Sequence, residues 1–385
     1  MPERRPGEIE ETELFRAAVR QFVANEVIPR EEELDQDEFP FELFRRLGSL
    51  GYLGIRYPED VGGQGAGLAT ACVLWEELAY GNLALAAICA MQGLMGTAFV
   101  HRYGTDAHRA DYLEPALRGE KVATFALTEP NAGSDLGAIQ TRAKKIDGGW
   151  VINGSKTWIS NAPVADFLTV GARTSDEPGM KSIALFFLDA KTDGFEVGKP
   201  IKKLGVRSSL TSEIRLDGCF VPDDALLGDV GDGARIVGGI LSEIRTMTAA
   251  LSVGLGRRAR DAAAAYANER EAFGAKIGDF QAIQHKLADM ETDLFAASVL
   301  TDEVARRVEA GTATVRETAM VKLFASEACV KAVDETTRIF GSYGFAMEYP
   351  AQRFFRDARF LLYGGGTSEI LKMIIGRDVL RAHAS

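Results

Sequence analysis

Apolar residues recur at three- and four-residue spacing through the first part of the chain. The spacing is clear in "EETELFRAAVRQFVANEVIP" and in "FELFRRLGSLGYLGI", and a mostly apolar stretch, residues 68–104, follows a glycine-rich loop. This is the period of an amphipathic helix, and an apolar helix of this length is typical of a protein core. We predict an N-terminal helical domain over residues 1–120.

The pattern changes over residues 121–230 and changes back afterwards. Short apolar or alternating runs such as "VATFALT", "WVINGSKTWIS" and "SIALFFLDA" are separated by Gly, Asp, Asn and Pro, which is typical of strands joined by turns. We predict an antiparallel β-domain over residues 121–230. Helical spacing returns in segments of about 30 residues, longer than the average helix, and predicts a bundle of long helices over residues 231–385.

Composition excludes several classes of function. The 385-residue chain has a net charge of -11, which argues against a general nucleic-acid binder. No stretch approaches the roughly 20 apolar residues of a membrane span, and the polar start "MPERRPGEIEETELF" has no apolar signal-peptide core. The four cysteines, Cys72, Cys89, Cys219 and Cys329, form no CxxC and no Cys/His cluster. We therefore predict reduced thiols, a cytoplasmic location and no metal site.

A nucleotide-binding motif is absent or out of place. "GLGRRA" (254–259) matches G-x-G-x-x-A formally, but it lies inside a continuous helical pattern and follows no strand. Its small residues favour close packing between helices instead. No G-x-x-x-x-G-K-[ST] motif occurs, and the four isolated histidines indicate no Ser-His-Asp site.

Three other segments are candidates for cofactor chemistry. In "LYGGGTSEI" (362–370), three glycines precede a Thr-Ser-Glu triplet that suits a helix N-terminus, so the bare backbone would let a phosphate or a flat cofactor approach. The loop "LTEPNAGSD" (127–135) offers hydroxyl and backbone donors. Trp158 in "KTWISNA" is either a ligand-stacking residue or part of the core. An ordinary capped turn remains the alternative for the glycine segment.

Together and in this order, the segments resemble the acyl-CoA dehydrogenase family of flavoproteins. The resemblance covers nearly the whole chain and is most specific in "LTEPNAGSD", "GSKTWISNA", "LGVRSSLTSEIRLDGCFVP", "REAFGAKIGDFQAIQHKLADM", "IFGSYGF", "RDAR" and "GGGTSEI". It implies a mainly α fold with a middle β-domain, in which an N-terminal helical domain and an antiparallel β-domain are followed by a C-terminal four-helix bundle. It also implies a FAD-dependent oxidoreductase of fatty acid or acyl-CoA metabolism that forms tetramers.

The resemblance also assigns binding residues. The β-domain would contact the flavin ring, a neighbouring subunit would contribute part of the FAD site, and the segment after the glycines would face the adenosine-pyrophosphate side. The expected FAD contacts are Phe125, Leu127, Thr128, Trp158, Ile159, Ser160, Arg270, Phe273, Gln281, Ile339, Phe340, Gly341, Thr367 and Glu369. The expected acyl-CoA contacts are Ser134, Leu241, Ser242 and Arg245.

The sequence departs from the family pattern at the catalytic base. In most members a Glu before the "GT" of the C-terminal loop removes the substrate's α-proton, and counting from "RDAR" puts Gly365 at that position. The Gly365 N–H could still polarise the thioester carbonyl. Other members carry the base immediately before an arginine that corresponds to Arg245, but Ile244 stands there. Glu243 is the nearest carboxylate, and it would need a bent or π-bulged helix to reach the substrate.

The resemblance leaves three functions open. The chain is an acyl-CoA or acyl-carrier dehydrogenase with Glu243 or another group as the base; or the flavin-binding subunit of a heterotetramer whose partner supplies the base; or a flavin monooxygenase or oxidase on the same fold. For the dehydrogenase, electron-transfer flavoprotein is the expected electron acceptor, and the assembly is a homo- or heterotetramer. Gln92 is the only polar candidate on the N-terminal helix that would face the acyl chain.

Overall fold

The computed structural model describes residues 8–383. Residues 1–7, on which part of the signal-peptide prediction rests, lie outside the described residues. The chain forms helices, then a β-sheet, then helices again, so the predicted fold class is confirmed. The limits of the three predicted domains remain a prediction.

The first helices surround an apolar core. They are α1 (Glu8–Phe22), α2 (Phe41–Ser49), α3 (Gly67–Gly81), α4 (Leu83–Ala90), α5 (Ala98–Tyr103), α6 (Asp106–His108) and α7 (Glu114–Leu117). A π-helical segment, Met91–Gly96, joins α4 to α5. Trp75 and Phe99 are fully buried, which confirms the prediction that the apolar stretch 68–104 lies in the core.

The middle of the chain folds into one sheet. Its strands are β1 (Ala123–Ala126), β2 (Arg142–Ile146), β3 (Gly149–Ser160), β4 (Phe167–Arg173), β5 (Ile183–Asp189), β6 (Phe195–Val197), β7 (Thr211–Pro222) and β8 (Leu226–Leu227). The order is β6-β7-β3-β2-β4-β5-β8, and β1 pairs with β4. Most pairs are antiparallel, but β1 and β4 run parallel, and so do β2 and β4, where Arg142 pairs with Arg173. Because β1 enters the sheet directly from α7, it has no preceding strand with which to form a hairpin.

Four long helices dominate the last part of the chain. They are α8 (Gly233–Glu269), α9 (Gln281–Glu309), α10 (Val315–Phe340) and α12 (Ser368–Ala382), with the shorter α11 (Pro350–Ala358) before α12. A small hairpin of β9 (Glu271–Ala272) and β10 (Ala275–Lys276) links α8 to α9. Gly254 packs so closely on α3 that a Cβ there would lie 2.0 Å from the Glu76 carbonyl oxygen. The glycines of "GLGRRA" therefore serve helix packing, as predicted.

One sequence prediction needs correction. Two stretches of the described residues, Leu83–Tyr103 and Gly233–Glu269, are long and apolar enough to cross a membrane. However, 94% and 78% of their most apolar windows are buried inside the fold, as in core helices.

Candidate active site

The C-terminal ends of β1 and β3 lie side by side and carry the residues predicted to contact the flavin ring. The Thr157 N–H donates to the Thr128 carbonyl oxygen at 2.9 Å, and the Thr124 hydroxyl donates to the Ser160 carbonyl oxygen at 2.5 Å. These bonds bring the segment after β1 beside the end of β3. Five of the six predicted residues are buried or half-buried there (Phe125, Leu127, Thr128, Ile159 and Ser160).

Trp158 is the exception, and its environment resolves the choice left open by the sequence. The register between β3 and β7 shifts between Lys156 and Ile159, and Trp158 adopts φ +60°. The side chain is 59% exposed, so it does not belong to the core. An indole held outside the sheet by an unfavourable backbone conformation is available to stack on a flat ligand.

A buried ion pair supports this edge, and sequence reasoning gave its members no role. Lys156 is fully buried, and its Nζ donates to Glu129 Oε1 at 2.8 Å and to the Leu127 carbonyl oxygen at 3.1 Å. Glu129 also accepts from the backbone N–H of Gln140 and Thr141. Burial lowers the pKa of Lys156 to about 8. The ion pair fixes the loop 127–135 against β3. The only indication of it in the sequence was that Glu129 lies in "LTEPNAGSD" and Lys156 lies in "KTWISNA".

The glycine segment folds as a turn that ends in a helix cap. Gly365 and Gly366 have φ of +73° and +113°, which residues with a side chain adopt with strain. The Thr367 hydroxyl accepts from the Ile370 N–H and caps α12, as predicted. Ser368 instead donates to Glu327 at 2.5 Å. Among the described residues, the Gly365 N–H finds no hydrogen-bond acceptor.

The turn packs against the middle of α8. A Cβ placed on Gly365 would lie 3.3 Å from Ile244 Cγ2, 3.6 Å from Arg245 Cγ and 3.8 Å from Thr248 Oγ1. Arg245 Nε donates to the Gly365 carbonyl oxygen at 3.1 Å. The two positions that the sequence compared for a base, 244 and 365, thus face one another, and neither holds a carboxylate.

Glu243 is engaged elsewhere. Its carboxylate accepts a hydrogen bond from Arg102 on α5, and Oε2 lies 2.5 Å from Arg56 Nη2 in an ion pair that is not aligned as a hydrogen bond. The helix α8 runs as regular α-helix from Gly233 to Glu269. The π-bulge that could turn Glu243 toward the substrate is therefore absent from α8.

The side-chain amide of Gln92 is also engaged in hydrogen bonds within the fold. It is completely buried, and its amide nitrogen donates to the Ala116 and Lys121 carbonyl oxygens at 2.9 Å each. Its amide oxygen accepts from the Ala123 N–H at 2.8 Å. These three bonds join the π-helical segment to the start of β1, so Gln92 has a structural role.

The predicted FAD contacts of the last domain gather at the ends of its helices. The Arg270 guanidinium lies 5.8 Å from the Tyr343 ring, just after α10, and Phe340 stacks on Tyr266 at 4.2 Å. Phe273 and Gly274 both have positive φ in the hairpin turn, and Phe273 is 98% exposed. Ile339 is buried, Gly341 has φ +60°, and Gln281 and Glu369 are exposed.

The predicted acyl-CoA contacts lie on two elements. Ser134 is exposed in the loop 127–135, while Leu241 and Ser242 are half-buried one turn before Arg245 on α8. No group of three or more His, Cys, Asp or Glu suited to a metal occurs in residues 8–383. All four cysteines are buried and unpaired.

These residues fit the flavin cofactor implied by the resemblance. Trp158 offers an exposed aromatic face, Thr128 and Ser160 are half-buried beside it on the adjoining segments, and Phe273 is exposed in the turn between β9 and β10. The sharing of a FAD site between subunits stays a prediction.

Comparison with known proteins identifies the family. Models of the N-terminal, middle and C-terminal domains of acyl-CoA dehydrogenases match residues 9–120, 124–219 and 231–380. The chain is 47% identical to benzylmalonyl-CoA dehydrogenase of Aromatoleum aromaticum over 93% of its own length and 95% of that protein.

Solved structures agree. A glutaryl-coenzyme A dehydrogenase in complex with glutaryl-CoA has a TM-score of 0.93 and 37% identity, covering 97% of this chain and 96% of that one. A glutaryl-CoA dehydrogenase from Mycobacterium smegmatis in complex with FADH2 has a TM-score of 0.91 and 28% identity, covering 97% and 95%. The chain therefore belongs to the acyl-CoA dehydrogenase family of FAD-dependent oxidoreductases.

Proposed function

We propose that this chain binds FAD through the predicted contacts and oxidises the Cα–Cβ bond of an acyl-CoA thioester. The exposed indole of Trp158 and the capped turn before α12 support this assignment. When bound, FAD accepts the hydride that leaves Cβ. The protein must position the thioester and promote the step that leaves an electron pair on Cα.

The observation that carries the proposal is the environment of Gly365. An ordinary acyl-CoA must lose a weakly acidic α-proton to a base. The three atoms nearest to a Cβ placed on Gly365 belong to the side chains of Ile244, Arg245 and Thr248, and none of them is a carboxylate. The Thr248 hydroxyl donates to the Ile244 carbonyl oxygen at 2.8 Å, so its proton is also engaged.

We infer that the substrate itself removes the need for a base. A thioester with a carboxylate on Cα, a 2-substituted malonyl-CoA, loses CO2 by breaking the Cα–carboxylate bond. The electron pair of that bond remains on Cα, and a hydride then leaves Cβ to give the α,β-unsaturated thioester. The name of the relative from Aromatoleum aromaticum supports this substrate class, because a benzylmalonyl thioester has such a carboxylate.

Two groups of the chain would act on the thioester. The Gly365 N–H, which has no acceptor among residues 8–383, would donate to the thioester carbonyl oxygen as negative charge develops there. The Ile244 side chain would keep water from the carbanion at Cα. Both roles use what is present at the site and require no proton acceptor.

The test compares two thioesters that differ only in the carboxylate. Benzylmalonyl-CoA and 3-phenylpropionyl-CoA are mixed in turn with the FAD-loaded enzyme without oxygen, and flavin absorbance and released CO2 are recorded. We expect bleaching with equimolar CO2 from the first thioester and bleaching at least 100-fold slower with the second. Equal bleaching by both would refute the decarboxylating reaction.

The same experiment tests the two alternative functions, a flavin-binding subunit of a heterotetramer and a flavin monooxygenase or oxidase. Reduction of the flavin by a thioester in the protein purified alone would exclude a partner-supplied base. It would equally exclude a monooxygenase or oxidase that takes electrons from elsewhere. If an acyl-carrier thioester bleaches the flavin and no CoA thioester does, the proposed reaction stands and the carrier group of the substrate is an acyl-carrier protein instead of CoA.

Assembly, acceptor and location are also proposed. The 98% exposure of Phe273 and the 93% exposure of Phe345 support association with further copies, and we propose a homotetramer. We propose electron-transfer flavoprotein as the acceptor of the flavin electrons, on the strength of the family. Four buried, unpaired cysteines support a cytoplasmic location.

A further inference from the structure

Arg245 is a buried cation without a buried anion. Arg245 is 6% exposed, and burial lowers the pKa of its guanidinium. Nε donates to the Gly365 carbonyl oxygen at 3.1 Å. Among the described residues, no carboxylate forms an ion pair with this guanidinium, so its two terminal nitrogens remain available as donors.

A second buried cation lies on the other side of the same turn. Lys322 on α10 is fully buried, and its Nζ donates to the Gly366 carbonyl oxygen at 2.8 Å and to the Leu362 carbonyl oxygen at 3.2 Å. Within residues 8–383 it too has no ion pair with a carboxylate. The nearby Glu327 accepts from Ser368.

Other buried cations of the protein are neutralised. Among the described residues, buried Lys156 pairs with Glu129 at 2.8 Å, and buried Arg353 pairs with Glu31. Since an uncompensated buried charge is costly, two of them around one glycine turn indicate a site that an anion completes.

The space beside Gly365 is where that anion fits. The Cβ position of Gly365 is 3.6 Å from Arg245 Cγ, so a group that occupies the place of a side chain at residue 365 passes along the Arg245 side chain. We propose that Arg245 is the binding residue for the α-carboxylate of the substrate, with Lys322 contributing charge and holding the turn. This inference rests on the proposed function and names the residue that selects its substrate class.

The arrangement suits both ends of the reaction. A guanidinium with its two terminal nitrogens free matches a carboxylate in two parallel hydrogen bonds. When the Cα–carboxylate bond breaks, CO2 leaves without charge and the negative charge moves to the thioester enolate. That enolate lies at the Gly365 N–H, on the residue whose carbonyl Arg245 holds, so the same cation continues to stabilise the charge.

The experiment uses a pair of ligands that the enzyme cannot oxidise. Malonyl-CoA and acetyl-CoA differ only by the carboxylate, and neither has a hydrogen-bearing Cβ. Their dissociation constants are measured by titration into the FAD-loaded enzyme with calorimetry. We expect wild type to bind malonyl-CoA at least tenfold more tightly than acetyl-CoA, and we expect the ratio of the two affinities to fall to about one in Arg245→Met.

Arg245→Lys separates charge from structure. It removes the Nε bond to Gly365 as Arg245→Met does, but it keeps a cation, so we expect it to retain part of the preference. If the wild-type enzyme binds malonyl-CoA no more tightly than acetyl-CoA, the inference that Arg245 binds the α-carboxylate is wrong. An unchanged preference in Arg245→Met also overturns it, even where benzylmalonyl-CoA still releases CO2 and the proposed function stands.

A crystal structure of the wild-type enzyme with malonyl-CoA provides a measurement that needs no variant. We expect the carboxylate within hydrogen-bond distance of the Arg245 terminal nitrogens. A carboxylate bound by other residues, with Arg245 contacting only cofactor or pantetheine, would assign the guanidinium to those groups and refute the inference.

Discussion

Arg245 Nε donates to the carbonyl oxygen of Gly365 at 3.1 Å and joins the middle of α8 to the glycine turn before α12. The contact places a buried cation beside the position to which the resemblance assigns the usual catalytic carboxylate. Under the proposed function, the absence of a carboxylate at residue 365 and the unpaired Arg245 guanidinium belong to one site, because a substrate carboxylate would supply the negative charge.

Restoring a carboxylate at residue 365 should change the substrate class. In Gly365→Glu the new side chain would pass Arg245 and compete with the substrate carboxylate for it. We expect the preference for malonyl-CoA over acetyl-CoA to fall at least tenfold and flavin reduction by 3-phenylpropionyl-CoA to increase. Because φ is +73°, the substitution should cost about 1–2 kcal/mol of unfolding free energy.

Gly365→Gln is the matched control for this change. It carries the same strain and nearly the same volume but neither negative charge nor a base. We expect it to lose stability as Gly365→Glu does without gaining reduction by 3-phenylpropionyl-CoA. If both variants gain that activity equally, side-chain volume and not the carboxylate is responsible.

Binding of the carboxylate should weaken at high pH. Burial lowers the pKa of Lys322 to about 8, and the charged groups near it are Glu327 on its own helix, Arg245 on α8 and Glu369 on α12. As pH rises through about 8, Lys322 loses its positive charge while Arg245 keeps its own. We expect the ratio of malonyl-CoA to acetyl-CoA affinity, measured by calorimetry, to decline between pH 7 and 9.

Lys322→Met should remove this pH dependence, because it removes the group at the turn whose pKa is about 8. Lys156→Met tests the specificity of the effect. The pKa of Lys156 is also lowered to about 8, but the residue pairs with Glu129 at the other edge of the site. Since both lysines favour folding in the neutral form, each contributes stability above about pH 10.5 that is lost as pH falls through about 8. Only Lys322 should affect the affinity ratio.

Glu243→Gln distinguishes a structural carboxylate from a base. Removing the charge leaves Arg56 and Arg102 facing each other, and Arg56 already has a buried nitrogen without a hydrogen-bond partner among the described residues. We expect a loss of about 2 kcal/mol in unfolding free energy, reduced by the partial exposure of Arg102. Flavin reduction by benzylmalonyl-CoA should stay within about threefold of wild type, measured by stopped-flow absorbance.

The same stability loss should follow from Arg102→Gln, which breaks the pair from the other side. A double variant should then be less destabilised than the sum of the two. If Glu243→Gln folds, holds FAD and reduces its flavin at least 100-fold more slowly, Glu243 is the base that the sequence suggested.

The sequence predicted local features better than contacts between distant segments. The cap at Thr367, the burial of the apolar stretch 68–104 and the packing glycines of α8 all follow from neighbouring residues, and each is found. The break of that stretch at Asn82 into separate helices was not predicted. The pairing of Glu243 with Arg102 joins residues 141 apart, and Lys322 reaches across 44 residues to Gly366. Periodicity says which face of α8 is apolar, but it does not say which arginines the rest of the chain brings to Glu243.

The parallel pairing of β1 with β4 was missed for the same reason. Alternation and turn residues indicate strands, and short loops favour antiparallel neighbours. β1 is instead placed by the helical domain, through Gln92 and its bond to the Ala123 N–H. The conformation of Trp158 depends in turn on a register shift against β7, which no local signal in "KTWISNA" reveals.

Trp158→Ala should weaken FAD binding without weakening the fold. The side chain is 59% exposed, so we expect the unfolding free energy of the apoprotein to change by less than about 0.5 kcal/mol. Loss of stacking on the flavin ring should lower FAD affinity about tenfold, measured by quenching of flavin fluorescence on titration. Trp150→Ala is the matched control: Trp150 is 7% exposed and contacts Phe186, so its truncation should cost about 3–5 kcal/mol. An apoprotein destabilised equally by both substitutions, with FAD affinity unchanged in Trp158→Ala, would return Trp158 to the core and remove it from the cofactor site.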